Sequence, residues 1–223
     1  MRTSSPSSEG SAVAISFAII LGGFLYGAFH LFRSNTPLYF KLLVSASACL
    51  SFERLSALVN YLTDSYYYVT LGGLGVFGAL LFLLSSNYGA LNSIVDDGSG
   101  TRKYRTIALI GPIASACALA YIFAAALPLG TAIVAAILII LLPLVPASYF
   151  TIKHLILPTD TAGLLKGTRL SNLCALLYYI FLVISIMALL KDKAWGNGFS
   201  ILASLCAALI AVFAVKGEKQ WKM

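Results

Sequence analysis

Seven uninterrupted apolar runs, parted by short polar segments, constrain this chain more than any other feature. They are Ala12–Phe32, Tyr39–Tyr61, Val69–Ser86, Ile107–Leu127, Thr131–Ile152, Leu170–Leu190 and Phe199–Val215. A helix needs roughly 20 apolar residues, within about 17 to 25, to cross the hydrocarbon layer of a bilayer. Each run meets that length. Hydrocarbon offers backbone N–H and C=O groups no partners, so a run of this kind must satisfy them internally as a helix. The alternative, a β-barrel, needs segments of about 10 residues alternating in polarity, and none occur. Composition agrees: 60% of the 223 residues are apolar, only 10% are charged, and mean hydropathy is +0.91. A water-soluble chain is nearer half apolar and about a quarter charged. Disorder, a coiled coil, a disulfide scaffold and a soluble enzyme are thereby excluded. The expected architecture is an all-α bundle of seven transmembrane helices. The sequence divides into a disordered tail at 1–11, a single membrane domain at 12–215 and a basic tail at 216–223. The first run is too long for the h-region of a signal peptide, about 7 to 15 residues, and no small-x-small site follows it, so it is expected to be a span.

Charge sets the expected orientation. Arg2, Lys191 and Lys193 share one side. Arg33, Lys41, Arg102, Lys103, Arg105, Lys153, Lys166, Arg169, Lys216, Lys219 and Lys222 share the other. Positive residues accumulate on the cytoplasmic side, which predicts an outside N-terminus, a cytoplasmic C-terminus and a plasma or inner membrane. The net charge of +7 lies at span ends, where it matches anionic lipid headgroups and implies no nucleic acid. Arg102-Lys103-Tyr104-Arg105 is also a candidate contact for a cytosolic or membrane protein partner.

Chemical motifs are sparse. Cys49, Cys117, Cys174 and Cys206 all fall within spans and form no C-x-x-C pair, so no disulfide framework or metal site is expected. His30 and His154 fall at the cytoplasmic ends of their helices and read as headgroup-level residues, not as haem ligands. Asp96-Asp97-Gly98-Ser99-Gly100 lacks the later ligands of a calcium loop. No hydrolase, metalloprotease or nucleotide-binding motif is present, and neither cofactor nor catalytic site is expected. The seven-span topology is similar to that of retinal-binding microbial rhodopsins. Those proteins need a lysine in the middle of the seventh helix, and Phe199–Val215 has none.

One exception breaks the rule that charge stays at span ends. Glu53 and Arg54 lie within the second run, with Glu53 about 21 Å along the helix from Tyr39. An ionisable side chain at the bilayer centre costs roughly 2.5 to 3.5 kcal/mol on insertion scales and normally faces protein or water. At 100° per residue, Cys49, Ser56 and Asn60 share the side of Glu53. Val44, Ala48, Phe52, Leu55, Val59 and Leu62 form the opposite, greasy arc. Glu53 and Arg54 are themselves 100° apart and are expected either to reach for different partners, with Tyr178, Tyr179, Asn172, Ser185, Ser200 and Ser204 among the candidates, or both to border one cavity. Tyr61, with Asp64 to Tyr68, suggests an aromatic mouth above this seam. Pro143 and Pro146 are expected to bend the fifth span, whereas Pro112 is expected to sit harmlessly near the start of the fourth.

The leading expectation is a small transporter or channel, passing a small solute or ion, whose pathway involves Glu53, Arg54, Ser56, Asn60, Tyr61, Tyr178 and Tyr179. The alternative is a sensory or assembly subunit that couples an outer pocket to a cytoplasmic partner. A membrane enzyme ranks behind both.

Overall fold

The computed structural model describes residues 6–32, 35–63, 69–91, 102–158, 164–191 and 193–221. Among these residues the chain is all-helical, and seven helical stretches are long and apolar enough to cross a membrane. Helix α1 spans Pro6–Leu31, α2 Leu38–Thr63 and α3 Val69–Ser85, the last running on as a π-helical segment, Ser86–Leu91. The fourth span is α4 (Arg102–Ala108) plus α5 (Ile110–Ala126), the fifth α6 (Thr131–Leu141) plus α7 (Leu144–Ile156). Helices α8 (Leu164–Leu189) and α9 (Lys193–Trp221) complete the bundle. Helix α1 thus takes in Pro6–Ser11, assigned by the sequence to a tail, and α9 continues as helix into the basic C-terminal segment.

Prolines explain both interrupted spans. Pro146 has no N–H for the Leu142 carbonyl, which instead accepts from Val145 at 3.3 Å, and the helix breaks at Leu142–Pro143. The fourth span starts at Arg102, earlier than the hydropathy run, so Pro112 lies inside it and not at its start. Its ring meets the Ala108 carbonyl four residues back, and the helix is broken at Leu109.

The tightest packing uses small residues, as expected where lipid tails are as apolar as the helices themselves. A Cβ added at Gly23 of α1 would lie 2.7 Å from the Ala208 Cα of α9. At Gly75 of α3 it would lie 2.7 Å from the Glu53 Cβ and 2.6 Å from the Cys49 carbonyl of α2. Glycine at these positions lets backbones approach where any side chain would force them apart. Interhelical hydrogen bonds add to the packing: the Ser47 hydroxyl donates to the Ala207 carbonyl at 3.1 Å, and Ser185 to the Gly196 carbonyl at 3.0 Å. Helix α2 is clasped by α1, α3 and α9. Its greasy arc is lipid-facing at Phe52, Leu55 and Leu62, the last 72% exposed. Val44, expected on that arc, is buried against Gly27 of α1.

Candidate functional site

Glu53 and Arg54 lie in the C-terminal half of α2, Glu53 directly against Gly75 of α3. Contrary to the expectation of separate partners, they pair with each other, Arg54 Nε lying 2.8 Å from Glu53 Oε2. Adjacent side chains leave a helix 100° apart, so both must bend along the axis to meet. The contact is close but poorly aligned, and among the described residues Arg54 Nε–H has no hydrogen-bond acceptor. Neither charge faces lipid outright: each side chain is 16% exposed.

Beside the pair lies a cavity of about 360 Å³. Helix α2 contributes Glu53, Arg54, Ser56, Ala57 and Asn60; α3 contributes Gly72, Gly73 and Val76; and α6 contributes Ile137, Ile140 and Leu141. Leu182, Ser185, Ile186 and Leu189 of α8 close a further side, with Ser200 of α9. All lie in the half of the bundle where α2 ends and α3 begins. Gly72 presents no side chain toward Glu53 and Ser56, whereas at Gly73 an added Cβ would run into Ile140 of α6. The wall is mostly apolar, and its polar atoms are few. One of them, Asn60 Oδ1, is buried without a hydrogen-bond partner.

Of the residues singled out from sequence, Glu53, Arg54, Ser56, Asn60, Ser185 and Ser200 line this cavity together. Tyr61 does not: it is 41% exposed and its ring lies against Gly10 of α1. Asp64 to Tyr68 fall outside the described residues. Tyr178 and Tyr179 are buried on α8 without being part of the cavity wall. Tyr179 shares a 3.4 Å contact between its hydroxyl and that of Thr151, and Tyr178 is close enough to feel the charges of Glu53 and Arg54. The Tyr178 hydroxyl has no hydrogen-bond partner. Sequence reasoning missed the α6 wall altogether, because nothing in an unbroken aliphatic run distinguishes a cavity-facing isoleucine from a lipid-facing one.

The opposite end of the bundle carries a second polar region. His154, expected at headgroup level, is fully buried, and Lys153 beside it is only 2% exposed. His154 Nδ1 lies 2.9 Å from Asn87 Oδ1 in the π-helical segment, while Asn87 Nδ2 donates to the Leu83 carbonyl. A carbonyl oxygen accepts only, so Nδ1 carries the proton in this pair. The Ser86 hydroxyl donates to the Tyr39 carbonyl, and an Arg169 Nη to the Leu157 carbonyl at 2.6 Å. These contacts tie α2, the π-helical turn and the ends of α7 and α8 into one plug. Lys153 therefore faces protein and not the headgroups. The acidic loop residues Asp96 and Asp97 fall outside the described residues.

The four cysteines are free thiols, and among the described residues no group of three or more His, Cys, Asp or Glu is placed to hold a metal. No protein-family model, curated protein or solved structure matches the chain.

Removing one partner of a pair largely sheltered from water leaves an uncompensated charge and is destabilising. Arg54→Met is therefore expected to lower the thermal unfolding midpoint in detergent sharply. The double variant Glu53→Gln/Arg54→Met is expected to recover at least half of that loss, because it removes both charges. A double variant that loses the sum of the two single effects contradicts this reading of the pair.

Proposed function

We propose that this chain carries a small solute across the bilayer through the cavity beside Glu53 and Arg54. The observation that carries the proposal is the site itself: an ionisable pair held inside the membrane-spanning region beside an unfilled, protein-lined volume. Intramembrane charge of this kind is costly and normally marks a pathway or a ligand site. A second feature fits movement. Helix α6, which supplies one wall through Ile137, Ile140 and Leu141, ends at the Leu142–Pro143 break immediately beyond it. Broken helices beside a midmembrane site are the element that rocks or gates in many transporters. Tilting α6 about that break would widen or close the cavity without disturbing α7, which is anchored by His154 and Asn87.

In this reading the N-terminus is outside and the C-terminus cytoplasmic, following the distribution of Lys and Arg. The cavity then lies in the outer half of the bundle and the His154–Asn87 plug in the inner half. A fluorescent protein fused at the C-terminus is expected to glow in cells, and alkaline phosphatase fused at the N-terminus to be active. The reverse pattern overturns the orientation.

Transport is tested in vesicles reconstituted with the full chain and loaded with a labelled panel of leucine, lysine, glutamate, choline, glucose and rubidium. Protein-dependent flux of at least one member is expected. Val76→Trp, which fills the cavity, is expected to reduce that flux at least tenfold with helicity unchanged. Leu62→Trp, on the lipid face, is expected to leave it intact. Absence of flux for every member, or flux indifferent to Val76→Trp, overturns the proposal.

A further inference from the structure

Resting on the transport reading, we infer that the occupant of this cavity is a small zwitterion with an apolar body, of the size and chemistry of an aliphatic α-amino acid. Three observations point to it. The first is volume. At about 30 Å³ per water molecule, 360 Å³ holds about a dozen waters, at the lower end of the range of about 300 to 1,000 Å³ typical of small-molecule sites.

The second is charge. Glu53 and Arg54 sum to zero and already neutralise each other at 2.8 Å. A ligand with a single charge would leave one unit uncompensated in a low-dielectric wall, which is strongly unfavourable. A zwitterion leaves the sum at zero. Its carboxylate gives Arg54 Nε–H the aligned acceptor it lacks, and its ammonium is placed to share Glu53. The four charges then alternate in sign, so that each has an opposite neighbour.

The third is the balance of polar and apolar wall. Asn60 Oδ1 is an acceptor and Arg54 Nε–H a donor, and both are buried atoms without a hydrogen-bond partner. The site therefore asks for donor and acceptor groups in one molecule. Val76, Ile137, Ile140, Leu182 and Ile186 cover the rest, matching an aliphatic side chain. A sugar or polyol would bury hydroxyls against these residues unsatisfied.

The experiment compares four probes for binding to the full chain in lipid nanodiscs, by calorimetry or by displacement of tritiated leucine. They are leucine, 4-methylpentanoate (which lacks the ammonium), 3-methylbutylamine (which lacks the carboxylate) and 3-methylbutan-1-ol (which lacks both charges). Leucine is expected to bind at least tenfold more tightly than each of the others. Equal or tighter binding of any of the other three overturns the inference, as does failure of all four to bind. Selectivity supplies a readout that a merely structural role would not move. Glu53→Gln makes the site net positive and is expected to turn the preference toward 4-methylpentanoate, whereas Arg54→Gln turns it toward 3-methylbutylamine. Folded variants that retain the original preference overturn the inference, and if they do not fold the wild-type series decides alone. Failure of this inference is distinguishable from failure of the transport reading. Flux of choline or rubidium with no preference for leucine removes only the zwitterion, while tight leucine binding without flux of any solute removes only transport.

Discussion

Two formal charges held within a membrane-spanning helix have to be kept from lipid, and the arrangement around α2 follows from that requirement. Glu53 and Arg54 neutralise each other across 2.8 Å, but adjacent residues on a helix cannot also point the same way. The pair therefore needs a protein surface broad enough to shelter two directions. Helix α3 supplies one side by bringing Gly72 and Gly75 against α2, with Gly73 against Ile140 of α6, and the far ends of α6 and α8 supply the others. Close approach at Gly75 holds α3 tightly against the Glu53 backbone.

The two ends of the bundle are built on different principles. Around the cavity the walls are aliphatic and contributed by a helix that ends at a proline break. At the opposite end, His154 meets Asn87 of the π-helical turn, Asn87 donates to the Leu83 carbonyl, and Lys153 is buried beside them.

The number of spans and their helical nature were legible because apolar runs of this length have a single structural solution in hydrocarbon. The polar seam of α2 was legible too, since a 3.6-residue period assigns Glu53, Ser56 and Asn60 to one face without any knowledge of neighbours. The failures share a cause. Val44, assigned to lipid, is buried by α1. His154 and Lys153, assigned to headgroups, turn inward. Tyr61 packs on Gly10 of the first helix. In each case the single helix was read correctly and its neighbour was unknown, and in a membrane protein the outside of a helix is as apolar as the inside, so hydropathy cannot say which faces meet. The Glu53–Arg54 contact was missed for another reason: helical geometry separates adjacent Cβ atoms but does not stop long side chains from bending together. Pro112 was misplaced because the fourth helix begins in the charged segment Arg102–Arg105, before hydropathy rises.

Whether the space beside the pair is reached by water or by lipid is the point on which the functional reading turns. Nitroxide labels at Ala57→Cys, in the cavity wall, and Leu55→Cys, on the lipid face of the same helix at nearly the same depth, separate the two in a background without the native cysteines. Collisions with a water-soluble nickel chelate, measured by power-saturation electron paramagnetic resonance in bilayers, are expected to dominate at position 57. Collisions with oxygen are expected to dominate at position 55. The same oxygen-dominated ratio at both positions would contradict a water-reached hollow and leave Glu53 and Arg54 as a structural pair alone.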